Sequence, residues 1–339
     1  EAKVAQINSG SSPIEDISDA QLQAALSRGA YTATTDFSAV SKASVITICV
    51  PTPLDNNREP DLALLRSAAT GIAPFVSNET LVVSESTSYP GTLRDIIIPI
   101  VTSLKPKETV LVYYASAPER VNPGDPVWNQ KNTPRLVGAI DDASQSKALA
   151  FYESICDAAV LVSTPEVAEA AKLLENTFRL ANIALINEFA KLCSANSINV
   201  NEVIDAASTK PYGFMPFRPG VGVGGHCIPV DPMYLSWFAR ENEVIANLVE
   251  LAQSINQGQS GHIVNRAIEL IGGKKGRVLI VGMGYKPKTS DLRHSPSVEI
   301  YNNLKKLGIE VEWHDPFIET FDGKVSGNQT LGFDLVIHA

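Results

Sequence analysis

Cys227 closes a run of four glycines, Gly220, Gly222, Gly224 and Gly225, with His226 just before the thiol and Asp231 four residues after it. Glycine has no Cβ and tolerates positive φ, so such a loop lets backbone approach a ligand closely. Backbone N–H groups beside a thiol can lower its pKa and receive a developing oxyanion. Asp231 can hold a water or a proton near the sulfur, and Arg218 supplies a planar, permanent cation for an anionic ligand. The chemistry that suits this set is covalent, with Cys227 as nucleophile. The competing reading is a Gly/Pro-rich loop around a buried, inert thiol, the commoner role of a lone cysteine. Lys172 and Asn176 lie four apart in a long helical pattern, so they share one face. They are either functional or solvated surface residues. Three polar clusters follow apolar, β-rich runs: Val50-Pro51-Thr52-Pro53, Glu85-Ser86-Thr87 and Pro118-Glu119-Arg120. In open α/β sheets ligands sit at the carboxyl ends of strands, although ordinary turn chemistry would give similar clusters.

The elements that must position these residues alternate in type. Ser44–Val50, Thr80–Ser84, Val110–Tyr114, Arg135–Ile140 and Ala159–Val162 read as strands, the first as one buried on both faces. Helical patterns cover Ala20–Ser27 (capped by Asp16 or Ser18), Asp61–Phe75, Thr92–Leu104 and Ser144–Ile155. This alternation predicts a parallel, doubly wound sheet. Thr164–Ala195 is the longest helical pattern, with no internal Gly or Pro after Pro165. Helices are predicted at Val200–Ser208 and from Val244 to Ile271. After the Gly272–Gly276 turn come strands at Arg277–Val281, Glu310–His314 and Asp334–His338, with a helix at Pro296–Leu307. Gly282-Met283-Gly284 is a weak sign of a second mononucleotide fold, because a third glycine is missing.

The chain has 339 residues, 44% hydrophobic and 19% charged, enough for two or three domains of a soluble globular enzyme. Its net charge of -9 argues against nucleic-acid or membrane-surface partners. No apolar run approaches the ~20 residues of a membrane-spanning helix. Cys49, Cys156, Cys193 and Cys227 show no paired spacing. The first three read as buried thiols, no metal site is expected, and a cytoplasmic setting is the default.

The segment Gly220-Val221-Gly222-Val223-Gly224-Gly225-His226-Cys227-Ile228-Pro229-Val230-Asp231-Pro232 resembles the signature loop of the UDP-glucose/GDP-mannose dehydrogenase family. His226 and the Ile-Pro-Val-Asp-Pro run resemble the branch that oxidises UDP-N-acetylhexosamines; UDP-glucose enzymes typically carry Ser in place of His226. The resemblance extends along nearly the whole chain. It implies two Rossmann-like doubly wound domains joined by a long central helix and a small helical domain. Their bounds would be residues 1–163 for NAD, 164–255 for the dimer-forming helices and the cysteine loop, and 256–339 for UDP. It also implies a four-electron oxidation of the sugar 6-hydroxymethyl group to a carboxylate with NAD, by way of a Cys227 thiohemiacetal and thioester. Lys172 and Asn176 would stabilise the oxyanions. Asp231, through water or with Thr87, would manage protons, and Glu119 would assist hydrolysis. Val50, Pro51, Thr52, Glu85, Ser86, Thr87 and Arg293 would contact the cofactor. Arg218, Gly220, Gly224, Gly225, Tyr285 and Lys286 would hold the UDP-sugar, UDP-N-acetylglucosamine by preference, with UDP-glucose or UDP-N-acetylmannosamine as the alternatives. Lys286, Asp291 and Arg293 match the family's Tyr-Lys-x-x-x-x-Asp-x-Arg pattern, with His294 where Glu is usual. A homodimer or larger homo-oligomer is implied.

Two other classes remain open: a two-electron dehydrogenase of the 6-phosphogluconate or hydroxyacyl type, and a catalytically silent nucleotide-sugar binding protein. No Gly-x-Gly-x-x-Gly turn follows a strand near Glu1, so the chain is expected to lack its first βα unit, roughly 30 residues. Asp334–Ala339 is expected to continue beyond the last residue.

Overall fold

The computed structural model describes residues 1–14, 17–122, 125–273, 275–327 and 332–339. Asp16 as a cap, Pro123-Gly124 after the third strand and Lys274 of the expected turn lie outside them. The chain divides into two compact units, Glu1–Asp55 with Pro60–Lys172, and Asn56–Glu59 with Leu173–Ala339.

In the first unit two short helices, α1 (Ala2–Asn8) and α2 (Asp19–Ser27), precede the sheet. Ser18 caps α2: its hydroxyl accepts from the Gln21 N–H while the Gln21 side chain accepts from the Ser18 N–H. Next come β1 (Val45–Ile48), α3 (Ala63–Ile72), β2 (Thr80–Ser84), α4 (Ile98–Leu104) and β3 (Val112–Ser116). They are followed by β4 (Arg135–Ala139), α5 (Asp142–Ile155), β5 (Ala159–Val162) and α6 (Pro165–Ala195), which runs on into the second unit. The strands form one sheet in the order β1-β2-β3-β4-β5. Every residue of β2, which lies between β1 and β3, is buried, whereas Ile46 and Ile48 of β1 are buried and Thr47 is exposed. The expectation for β1 is corrected accordingly: one face is covered.

The sheet is mixed, not wholly parallel. β1, β2 and β3 are parallel, β4 runs antiparallel to β3, and β5 is parallel to β4. The reason lies in the connection: among the described residues no helix links β3 to β4, and a parallel return needs a crossover. The expected helix over Thr92–Leu104 is also interrupted. Leu93–Ile97 forms a π turn before α4 begins beside Pro99, which has no N–H to give the preceding turn. Glu169 of α6 anchors this turn, accepting from the N–H groups of Gly91 and Leu93 at 2.7 and 3.1 Å. Burial pushes the Glu169 carboxyl up to about 8, against those two bonds.

The second unit contains the remainder of α6, α7 (Val200–Ser208), α8 (Asp231–Glu241), α9 (Asn247–Gln257) and α10 (Gln259–Leu270). Then follow β6 (Arg277–Val281), α11 (Pro296–Lys306), β7 (Glu310–His314), β8 (Thr320–Phe321), β9 (Lys324–Val325) and β10 (Leu335–His338). The strand order is β10-β6-β7, all parallel. Val278, Ile280, Ile300, Leu304 and Trp313 form part of the core there, with Val264 and Ala267 of α10. The helix expected from Val244 to Ile271 is two helices meeting at Gly258, a weak helix former. α8 is new, as is the β8–β9 hairpin. Its turn is Asp322-Gly323, both at positive φ as a type I′ turn requires. Among the described residues no helix is long and apolar enough to cross a membrane.

Candidate active site

In the first unit the carboxyl ends of β1, β2 and β3 lie side by side, and the three polar clusters fall there. Ser86 ties two of them together. Its hydroxyl accepts from the Val50 N–H at 2.8 Å and is within bonding distance of the Val50 and Ile48 carbonyls. That hydroxyl is therefore committed to shaping the loop. Val50, Thr52 and Thr87 are half-buried and Pro51 is exposed.

Antiparallel β4 brings a residue to this edge that sequence reasoning missed. Ala115 pairs with Ala139 and Ser116 with Gly138, and the same register carried on sets Arg135 opposite Glu119. Arg135 is only 3% exposed, and one Nη lies 2.6 Å from Glu119 Oε2. Gln130 donates to the same oxygen at 2.9 Å, and the N–H groups of Arg120 and Val121 donate to Oε1. The Glu119 carboxylate is thus held in one orientation. Arg135 also lies over the Tyr152 ring, and the Tyr152 hydroxyl donates to Glu85 at 2.5 Å. Burial and the Glu85 carboxylate push the Tyr152 phenol far up, so it remains a donor. Cys49 is exposed, which corrects the expected burial, and its thiol donates to Glu85 at 3.3 Å. Partial desolvation and the Glu85 charge push that thiol up to about 12, so it is not a thiolate at neutral pH.

The second unit builds the cysteine loop. Cys227 is half-buried. Its carbonyl accepts from the N–H groups of Val230 and Asp231 at 3.1 and 2.8 Å, closing a turn directly into α8. Asp231 opens that helix with Pro232 beside it, where a carboxylate suits the positive end of the dipole and the N–H that proline lacks is one the helix would leave unpaired. The Asp-Pro pair is the signal from which α8 could have been read. Asp231 is buried, and Asn176 of α6 donates to it at 2.5 Å. Lys172 stands one turn before Asn176 on α6 and is half-buried.

Buried amides hold the glycine run. Asn187 accepts from the Gly220 N–H at 2.9 Å, and Gln259 donates to the Gly220 carbonyl at 3.0 Å. Asn256 links Asn187 to the Leu180 carbonyl. Neither Asn256 nor Gln259 stood out in the sequence, since nothing local marks the reach of Asn256 back to α6 or of Gln259 to the glycine run. Gly225, at φ +79°, donates its N–H to the Arg293 carbonyl at 3.0 Å. A Cβ there would sit 2.6 Å from the Tyr285 ring, and one on Gly224 would sit 2.6 Å from Tyr285 Cβ. Glycine is required at both by close approach. Arg293 grips Asp291 with two nitrogens; that ion pair keeps the Asp291 carboxyl below its usual range. Arg218 pairs with Asp205 of α7 and reaches the Asn201 carbonyl. Lys286 is half-buried in the same segment as Tyr285. Among the described residues no cluster of three His, Cys, Asp or Glu side chains could hold a metal ion.

Three models of one family match the chain. The NAD binding domain of the UDP-glucose/GDP-mannose dehydrogenase family matches residues 1–156, its central domain 166–258 and its UDP binding domain 279–334. A UDP-N-acetyl-D-glucosamine 6-dehydrogenase of Pseudomonas aeruginosa is 31% identical over 95% of this chain and 77% of its own length. This chain belongs to the UDP-glucose/GDP-mannose dehydrogenase family. A UDP-N-acetyl-D-mannosamine dehydrogenase of Methanocaldococcus jannaschii is 36% identical over 83% of the chain; the match spans 64% of that relative, a little under two thirds. The solved structure of a UDP-D-ManNAc dehydrogenase from Pyrococcus horikoshii superposes with a TM-score of 0.88 at 30% identity, over 100% of this chain and 81% of that one.

NAD is the cofactor that the family implies. Val50 and Pro51 are apolar and Thr52 and Thr87 carry hydroxyls where the parallel strands β1 and β2 end, side chains whose chemistry would fit a flat ring carrying a carboxamide.

Proposed function

We propose that this chain is an NAD-dependent dehydrogenase that oxidises a UDP-N-acetylhexosamine at its sugar 6-hydroxymethyl group to the carboxylate, in the cytoplasm. The observation that carries the reading is the cysteine loop: Cys227 at a turn pinned on both sides, with Asp231 and Asn176 joined beside it. The cofactor, when bound, takes one hydride in each of two steps. The protein does the rest. Asp231, through water or with Thr87, manages the proton of the alcohol. Cys227 adds to the aldehyde and retains it as a thiohemiacetal, then as a thioester. Lys172 and Asn176 stabilise the oxygen that carries the charge. Glu119 assists the water that cleaves the thioester. Arg218, Gly220, Gly224, Gly225, Tyr285 and Lys286 hold the UDP-sugar. Val50, Pro51, Thr52, Glu85, Thr87 and Arg293 hold the cofactor, with Ser86 shaping its wall.

The experiment is a panel of UDP-sugars with NADH counted per sugar consumed. Two NADH per UDP-N-acetylhexosamine are expected, with kcat/KM above that for UDP-glucose by the ~1–3 kcal/mol that a few contacts supply. One NADH would make this a two-electron dehydrogenase, and none a binding protein. His226 and the Ile228–Asp231 run support the N-acetylhexosamines as a class. Both gluco and manno isomers occur in the relatives' names, and the panel separates them.

A homodimer is the second part of the proposal. Leu174, Phe178, Leu185 and Leu192 are exposed on α6, at spacings that set them in one stripe. A stripe of this kind suits an isologous partner. Light scattering at micromolar concentration should give a dimer mass for the parent and a monomer mass for Leu185→Glu. A monomeric parent would refute it.

A further inference from the structure

The imidazole of His226 reaches the thiol. Nδ1 lies 2.9 Å from Cys227 Sγ. Side chains of adjacent residues meet in this way only where the backbone is bent, and here the bend is fixed on both sides. Gly225 is tied to the Arg293 carbonyl before the pair, and the Cys227 carbonyl is tied to Val230 and Asp231 after it. We propose that His226 is a catalytic residue, the proton acceptor that turns the Cys227 thiol into the attacking thiolate. The inference rests on the reading of Cys227 as nucleophile and names a base that the reading left unassigned.

The chemistry is balanced within the pair and the aldehyde. Nδ1 takes the proton from Sγ. The thiolate pair forms the sulfur–carbon bond, and the carbonyl π pair moves to oxygen. The imidazolium then returns the proton to that alkoxide, giving the thiohemiacetal with no net change in charge. Imidazole titrates near neutrality and a free thiol near pH 8.5, so a contact pair of the two shares one proton in the useful range. The charged neighbours are named by the fold. Asp291 feels the His226 charge, and Arg293 feels those of Asp291, Tyr285 and Cys227. Asp291 favours the imidazolium and Arg293 favours the thiolate, so this ion pair supports the charge-separated form at both ends. Asp231 is engaged by Asn176 in the same unit, which suits it to a steady charge more than to this transfer.

The test uses the whole chain without cofactor or sugar. Iodoacetamide alkylation of Cys227 is followed by peptide mass mapping from pH 5.5 to 9.5, in the parent, in His226→Asn and in His226→Gln. Asparagine sets a neutral hydrogen-bonding atom where Nδ1 stands, so it keeps the contact and removes the base. The parent should alkylate with a midpoint below the ordinary thiol value. His226→Asn should move the midpoint up to that value and slow alkylation at pH 7 about tenfold. The buried Cys156 and Cys193 report folding in the same maps by staying unmodified; His226→Gln replaces the asparagine variant if they react. Parent-like rate and midpoint in the folded variant would overturn the proposal. Full turnover by Cys227→Ala would instead sink the nucleophile reading and leave the alkylation result standing, so the two failures are distinguishable.

Discussion

Replacing Cys227 with alanine is expected to abolish carboxylate formation while leaving the protein folded. The loop does not need the sulfur for its shape. The Cys227 carbonyl accepts the two N–H bonds that close the turn into α8, and alanine keeps that carbonyl. Gly220 is held by Asn187 and Gln259, and Gly225 by the Arg293 carbonyl, none through the thiol. The melting temperature should therefore stay within a degree or two of the parent. Turnover to the carboxylate should fall by on the order of 10³-fold or more, the scale on which removal of a nucleophile acts. Mass analysis of the product should find aldehyde or its hydrate, with no more than one NADH per sugar. Parent-like turnover would show that the oxidation does not run through this sulfur.

The site residues that could be read from the sequence are those whose partners are close in the chain or whose type is itself unusual. Glycines before a thiol announce a close approach, and Lys172 and Asn176 share a face by helical spacing alone. The strands at Thr80–Ser84 and Arg277–Val281 were legible because a buried strand is a short apolar run with sharp ends. What escaped was set by contacts distant in sequence. The direction of β4 depends on the path from Ala117 to Pro134, and no periodicity encodes that. Arg135 and Tyr152 acquire their roles only once β4 is reversed and α5 is laid on the sheet. Asn256 and Gln259 are polar residues on amphipathic helices, and their types do not say which backbone group they will reach. Two misses were avoidable. Asp231-Pro232 is a helix start, an acidic residue followed by a proline in the first turn, and Asp322-Gly323 is a hairpin turn. An arginine opening an otherwise apolar strand was a third, weaker signal.

That arginine has the largest expected effect on stability. Arg135→Met keeps most of the side chain's length and apolar bulk and removes the guanidinium. Three things are lost: the 2.6 Å bond to Glu119, the bond to the Ala117 carbonyl at 3.3 Å and the cation over the Tyr152 ring. Breaking a buried pair by removing one partner costs about 3–5 kcal/mol, because a charge is left uncompensated. Glu119 is more accessible, with its side chain 37% exposed, so water can take over part of the lost bonding. The discounted cost is about 2 kcal/mol, a fall of roughly 4–8 °C in melting temperature for a unit of this size. Glu119 keeps its bonds from Gln130, Arg120 and Val121, so the loop after β3 should loosen and not unfold. Adding Glu119→Gln to Arg135→Met removes the stranded charge. The double variant should regain much of the loss, and the difference measures the coupling between the two residues. If Arg135→Met melts with the parent, or if the second change adds its full cost to the first, then the ion pair is not what holds the β3–β4 edge. Glu119 would in that case owe its orientation to Gln130 and the backbone N–H groups of Arg120 and Val121.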